Sequence, residues 1–179
     1  MRFSAYLALP GVVIHELGHY LLCRLCRVSV KEVVFFEPSG PSGYVVHVVP
    51  RRLRQHLIIV CGPLLLNTGL AFLLFRSAAA AVPEAAANLG AGSPLLTIQL
   101  VVAVVVGWSI GLQAIPSRAD AISLWDVALD RLRAGNLLAL FAVPLAGAIL
   151  FVNTLRRFWF DWLLVAGLAG VAVWLPLQK

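Results

Sequence analysis

Five apolar runs, at about residues 3–22, 57–75, 94–115, 137–152 and 158–177, restrict the folds open to this chain more than any other feature. The bilayer core offers no water to backbone N–H and C=O groups, so a run of roughly 20 apolar residues satisfies them internally, as a helix. Composition agrees: 61% of the 179 residues are apolar and 12% charged, and the mean hydropathy is +0.93. Soluble domains are nearer 45–50% apolar. The expected fold is mainly α: a polytopic membrane helical bundle of about five transmembrane helices, forming one domain over residues 1–179.

The first run ends at Arg24 and Arg27, is too long for a signal-peptide core and has no small-residue cleavage site. It is expected to remain a membrane helix. Residues 28–50 read differently. Val28 to Phe36 and Tyr44 to Val49 are rich in β-branched and aromatic residues, and Pro38-Ser39-Gly40-Pro41-Ser42-Gly43 between them is turn chemistry. A short β-hairpin after the first helix is predicted.

Residues 57–133 should hold the second helix (to Phe75), a loop over 76–92, the third helix to Ile115, and a partly exposed amphipathic segment from Ala119 to Arg133. Residues 137–179 should hold the last two membrane helices. If the first helix ends in the cytoplasm, ten of the 14 basic residues lie inside, Arg51, Arg52 and Arg54 among them. Only Arg2, Arg76, Arg156 and Arg157 then lie outside, as the positive-inside rule prefers. The net charge of +6 comes from short clusters flanking apolar runs, a topology pattern that argues against a nucleic-acid partner. Cys23, Cys26 and Cys61 sit in or beside apolar helices and are expected to be free thiols.

Within the first run stands His15-Glu16-Leu17-Gly18-His19. Histidines four apart on a helix project from one face and can grip a single zinc ion, with Glu16 beside them to activate water. Three ionisable residues in five positions of a membrane helix are also expensive, each charge near the bilayer centre costing about 2.5–3.5 kcal/mol on insertion scales. The bland alternative is a pair of neutral histidines bonded between helices beside a protonated Glu16.

Zinc needs a third protein ligand. Counted from Arg24, His19 lies roughly 7 Å and His15 roughly 13 Å below the cytoplasmic boundary. The third helix returns to that side, and Asp120 follows its end by a few residues, so Asp120 is the acid best placed to meet the histidines. Ser117-Arg118-Ala119-Asp120 also fits an ordinary helix start, with Ser117 as N-cap and Asp120 in the first turn. Asn67, roughly 15 Å into the second helix, is level with His15 and offers a hydrogen bond to substrate, or else a tie between helices. His47 and His56 read as solvated or backbone-bonded. Hydrolysis also needs a water path from the cytoplasmic face, for which Gly43, Gly62 and Pro116 are candidates.

Three blocks, His15-Glu16-Leu17-Gly18-His19, Gly62-Pro63-Leu64-Leu65-Leu66-Asn67 and Ile115-Pro116-Ser117-Arg118-Ala119-Asp120, together resemble the site-2 protease family of intramembrane zinc metalloproteases. The second is similar to that family's Gly-Pro-x-x-x-Asn helix. The third departs from its Asn-x-x-Pro-x-Pro-x-Leu-Asp-Gly pattern, since Ala121 follows Asp120 and no Asn precedes Pro116. The resemblance implies one zinc per chain held by His15, His19 and Asp120, with Glu16 as catalytic base. It also implies a membrane-spanning protein or peptide as substrate, presented by edge pairing to the hairpin. The rival class is a non-proteolytic membrane adaptor or chaperone that keeps the zinc-binding fold. A metal transporter ranks below both, because its ligands would be spread along a pathway.

Overall fold

In the computed structural model, which describes residues 3–37, 43–87 and 94–175, the chain is mainly helical with one two-stranded hairpin after the first helix. The helices are α1 (Phe3–Leu25), α2 (Leu53–Ala87), α3 (Pro94–Leu112), α4 (Arg118–Arg133), α5 (Ala139–Leu155) and α6 (Phe160–Trp174). A 3-10 turn, Arg156–Phe158, joins the last two. The hairpin strands are β1 (Val30–Val34) and β2 (Tyr44–His47).

Among the described residues three helical stretches are long and apolar enough to cross a membrane: Leu53–Pro83, Pro94–Leu112 and Ala139–Phe158. The expected count of five is not reached by this measure. α1 spans 23 residues, about 34 Å at 1.5 Å per residue, but His15, Glu16, His19 and Arg24 dilute its apolar character. α6 has 15 residues, roughly 22 Å, short of a ~30 Å hydrocarbon core. Trp159, in the left-handed region at φ 63°, delays its start.

The loop expected over 76–92 is helical as far as Ala87; residues 88–93 lie outside the described part of the chain. The physical reason is the run Ala78-Ala79-Ala80-Ala81, the best helix former there is, which carries the helix past Ser77 and up to Pro83. Arg76 is accommodated on this helix because its Nη1 donates to the carbonyls of Ala172 (2.8 Å) and Leu175 (2.7 Å), satisfying the C-terminal end of α6. α3 stops at Leu112 rather than Ile115, since Pro116 disfavours helical geometry in the residue before it.

β1 and β2 pair antiparallel, Val34 opposite Tyr44 and Val30 opposite His47, with an irregularity between Val30 and Glu32. The expected turn at 38–42 lies outside the described residues. The hairpin rests along α1 through two ring contacts, Phe36 on Tyr6 (6.1 Å between centroids) and Phe35 on Tyr20 (6.2 Å). Arg27, at φ 55°, takes the left-handed position that closes α1, and Val28 N–H donates back to Cys23 O at 2.8 Å.

Small side chains let the helices approach closely. α2, α4 and α5 meet around Val60, Leu124, Ala128, Ala142 and Ala146, and α2, α3 and α6 around Ala71, Phe75, Ile110, Val165 and Ala172. The outward faces are apolar as well: Leu95, Ile98, Val101, Val102 and Val105 of α3 are all exposed, as suits a lipid-facing surface.

Candidate metal centre

One turn of α1 brings His15 and His19 into register. Their Nε2 atoms are 3.1 Å apart and both residues are buried. Asp120, 101 positions beyond His19 in sequence and carried on the first turn of α4, places Oδ2 3.5 Å from His19 Nε2. The three ligand atoms lie within 4.8 Å of one another, and this is the one such group of metal-ligating side chains among the described residues. It could hold a metal ion.

The donor chemistry fits that role. His19 Nδ1 lies 2.9 Å from the carbonyl oxygen of Ile59, which accepts only if Nδ1 carries the proton. In the neutral ring, Nε2 then presents its lone pair to His15 and Asp120, the outer hydrogen bond that fixes the tautomer of a metal-binding imidazole. Burial alone would raise the Asp120 carboxyl, but the neighbouring His19 imidazole and Ser117 hydroxyl outweigh it and hold the pKa at about 2, so the group is a carboxylate. Two imidazole nitrogens and a carboxylate converging in a buried space are the donor set a divalent cation takes.

Asp120 is both of the things its sequence context allows. Its carboxylate reaches His19, and the same Oδ2 accepts from Ser117 N–H (3.0 Å) and Ser117 Oγ–H (2.6 Å). The Ser117 hydroxyl oxygen in turn accepts from Asp120 N–H at 3.1 Å, completing a reciprocal capping box. The cap therefore aims the ligand.

Glu16, half-buried, lies under the hairpin: a Cβ on Gly43 would come within 2.9 Å of Glu16 Cγ and of the Phe35 carbonyl oxygen. Gly43 is thus a point of contact rather than an opening. Gly62 packs against the Leu22 side chain, and Pro116 is fully buried, so neither forms the expected water path.

Asn67 is fully buried at the meeting point of three helices. Its Nδ2 donates to the carbonyls of Gly11 (3.3 Å), Ile110 (3.3 Å) and Gln113 (3.2 Å), tying α1 and the end of α3 to α2. Its Oδ1 is buried with no partner among the described residues.

His47 Nδ1 lies 2.9 Å from Val48 O, the backbone bond expected of it. His56 departs from expectation: it is 1% exposed and its Nε2 meets Ser123 Oγ at 3.2 Å, linking α2 to α4 one turn beyond Asp120. Neither this link nor the Ile59 carbonyl carries a sequence signal, since each depends on how helices far apart in the chain dock. Cys23, Cys26 and Cys61 are free, with Cys23 buried. Comparison with family models, with curated proteins and with solved structures returns no match for this chain.

Proposed function

We propose that the chain is an intramembrane zinc metalloendopeptidase, similar to the site-2 proteases, that hydrolyses peptide bonds of membrane-spanning protein substrates. The observation that carries this reading is the convergence of His15, His19 and Asp120 beside Glu16 on a helix of an apolar bundle. In this reading α1 and α6 also lie in the bilayer, giving five membrane segments, and the centre faces the cytoplasmic half.

Zinc is favoured by the two-imidazole, one-carboxylate set, and when bound it supplies Lewis-acid polarisation of the scissile carbonyl and of water. Of the chain's own groups, His15, His19 and Asp120 hold the ion, and the Ile59 carbonyl keeps His19 in the required tautomer. Glu16 takes a proton from the attacking water and returns it to the departing amine nitrogen, so that one peptide bond and one water give one carboxylate and one amine. The exposed hairpin edge offers main-chain pairing to a locally unwound substrate. Asn67, fully buried, ties α1, α2 and α3 together around the centre.

The test is metal content and cleavage of a generic transmembrane substrate by detergent-purified wild type and Glu16→Gln. Wild type is expected to hold one zinc and cut; Glu16→Gln is expected to hold zinc and not cut. Substrate binding without cleavage by the zinc-loaded wild type would replace this reading with that of a non-proteolytic adaptor or chaperone.

A further inference from the structure

Away from the metal centre, a cavity of about 380 Å³ opens where α2 and α5 begin. Arg51, Arg52 and Arg54 line it from the start of α2, and Arg131 and Asn136 from the end of α4 and the turn that follows. The grouping is built by the fold: Arg131 Nη2 donates to the Arg51 carbonyl at 2.8 Å across 80 positions of sequence. Gly135, at φ 78°, reverses the chain after α4, and Asn136 N–H donates to Arg131 O at 2.9 Å. Asn136 Oδ1 is committed to Leu138 N–H at 3.0 Å, so its side chain has only amide N–H groups left to offer.

Among the described residues the positive charge here has no counterpart in the lining. No Asp or Glu is among the lining residues, and Asp130, next to Arg131, faces Arg133 at 3.5 Å. Neither α2 nor α5 has an acidic residue in its first turn, where one would ordinarily offset the positive end of the helix dipole. The starts of two helices and four arginines therefore border one space, with no acid among the lining residues.

α2 and α5 both start stretches long and apolar enough to cross a membrane, so in the bilayer arrangement proposed above the cavity falls at headgroup level, with Leu53 and Leu138 as its apolar lining. We propose that this arginine-lined cavity binds a phosphate-bearing anion, the headgroup of an anionic phospholipid or a soluble phosphate ester. The site is independent of any proteolytic activity.

Native mass spectrometry of the full chain in detergent, titrated with phosphatidylglycerol or phosphatidylcholine, tests it. Wild type is expected to retain phosphatidylglycerol preferentially. Arg54→Gln and, separately, Arg52→Gln are expected to weaken retention about five-fold each, the loss of one basic residue at a membrane surface. Arg54→Lys should restore it, and Arg133→Gln, paired outside the cavity, should leave it unchanged. Equal retention of both lipids, or an equal loss in Arg133→Gln, overturns the proposal. Millimolar inorganic phosphate identifies the source: displacement of the lipid marks a soluble phosphate ester, and persistence marks the lipid headgroup.

Discussion

Gly43 and Glu16 are in contact across the hairpin and α1, with no room for a side chain at position 43: an added Cβ would lie 2.9 Å from Glu16 Cγ, 2.9 Å from Phe35 O and 3.0 Å from Val12 Cγ1. The Glu16 side chain can give way, but the Phe35 carbonyl belongs to the hairpin backbone. Gly43→Ala therefore moves the hairpin or Glu16. Turnover is expected to fall by roughly 10- to 100-fold, the scale of a misplaced catalytic group, with zinc content unchanged. Cleavage assays beside metal analysis of the same sample check this, and undiminished turnover would sever the hairpin from the reaction.

The two roles of Asp120 can be separated. Asp120→Asn keeps an oxygen that accepts from Ser117 but removes the carboxylate, and is expected to lose most of its zinc while α4 stays capped. Ser117→Ala removes the hydroxyl of the capping box but keeps the Ser117 N–H on Asp120, and is expected to cost about 0.5–2 kcal/mol of stability and to weaken zinc binding far less than Asp120→Asn does. Metal analysis and thermal melts of both variants suffice. Full zinc occupancy in Asp120→Asn would mean another ligand completes the centre.

Asn67→Ala removes the donor shared by the Gly11, Ile110 and Gln113 carbonyls. A loss of about 0.6–1.7 kcal/mol is expected, the range for interhelical hydrogen bonds in membranes. A fall in cleavage larger than the fall in stability, measured on the same preparation, would add a part in substrate binding.

At Gly11 the obstacle is backbone. A Cβ there would run into the Ser109 carbonyl, and Gly11 N–H donates to Ser109 Oγ at 3.1 Å. Gly11→Ala is expected to push α1 from α3 and destabilise the bundle by about 1–3 kcal/mol, the usual cost of overpacking. A melting temperature equal to wild type would show that α1 is not held so closely.

Removal of metal by a chelator should lower the melting temperature, because an ion that binds only the folded state adds RT ln(1 + [L]/Kd), about 2.7 kcal/mol at a hundred-fold excess over Kd. Readdition of zinc should restore both the melt and cleavage. Asp120→Asn, melted in parallel, should be nearly indifferent to the chelator.

What the sequence determined was local. His15, Glu16 and His19 fall on one stretch of helix because 3.6 residues per turn stack positions four apart, and that holds whatever the helix packs against. The apolar runs imposed helices for the same reason, and the β-branched stretches flanking Pro38 to Gly43 marked the hairpin. The extension of α2 to Ala87 was legible in principle, from the alanine run, but a membrane-length count stops at Phe75. Tertiary structure decided the rest. Only docking of α1 against α2 sets the Ile59 carbonyl behind the His19 ring, and only docking of α4 against α2 brings Asp120 Oδ2 to 3.5 Å from His19 and buries His56 against Ser123. The same packing of α4 against the start of α2 carries Arg131 to Arg51. Such pairings depend on the close approach of helices dozens of residues apart, set by small side chains at their crossings, and no periodicity along the chain encodes them.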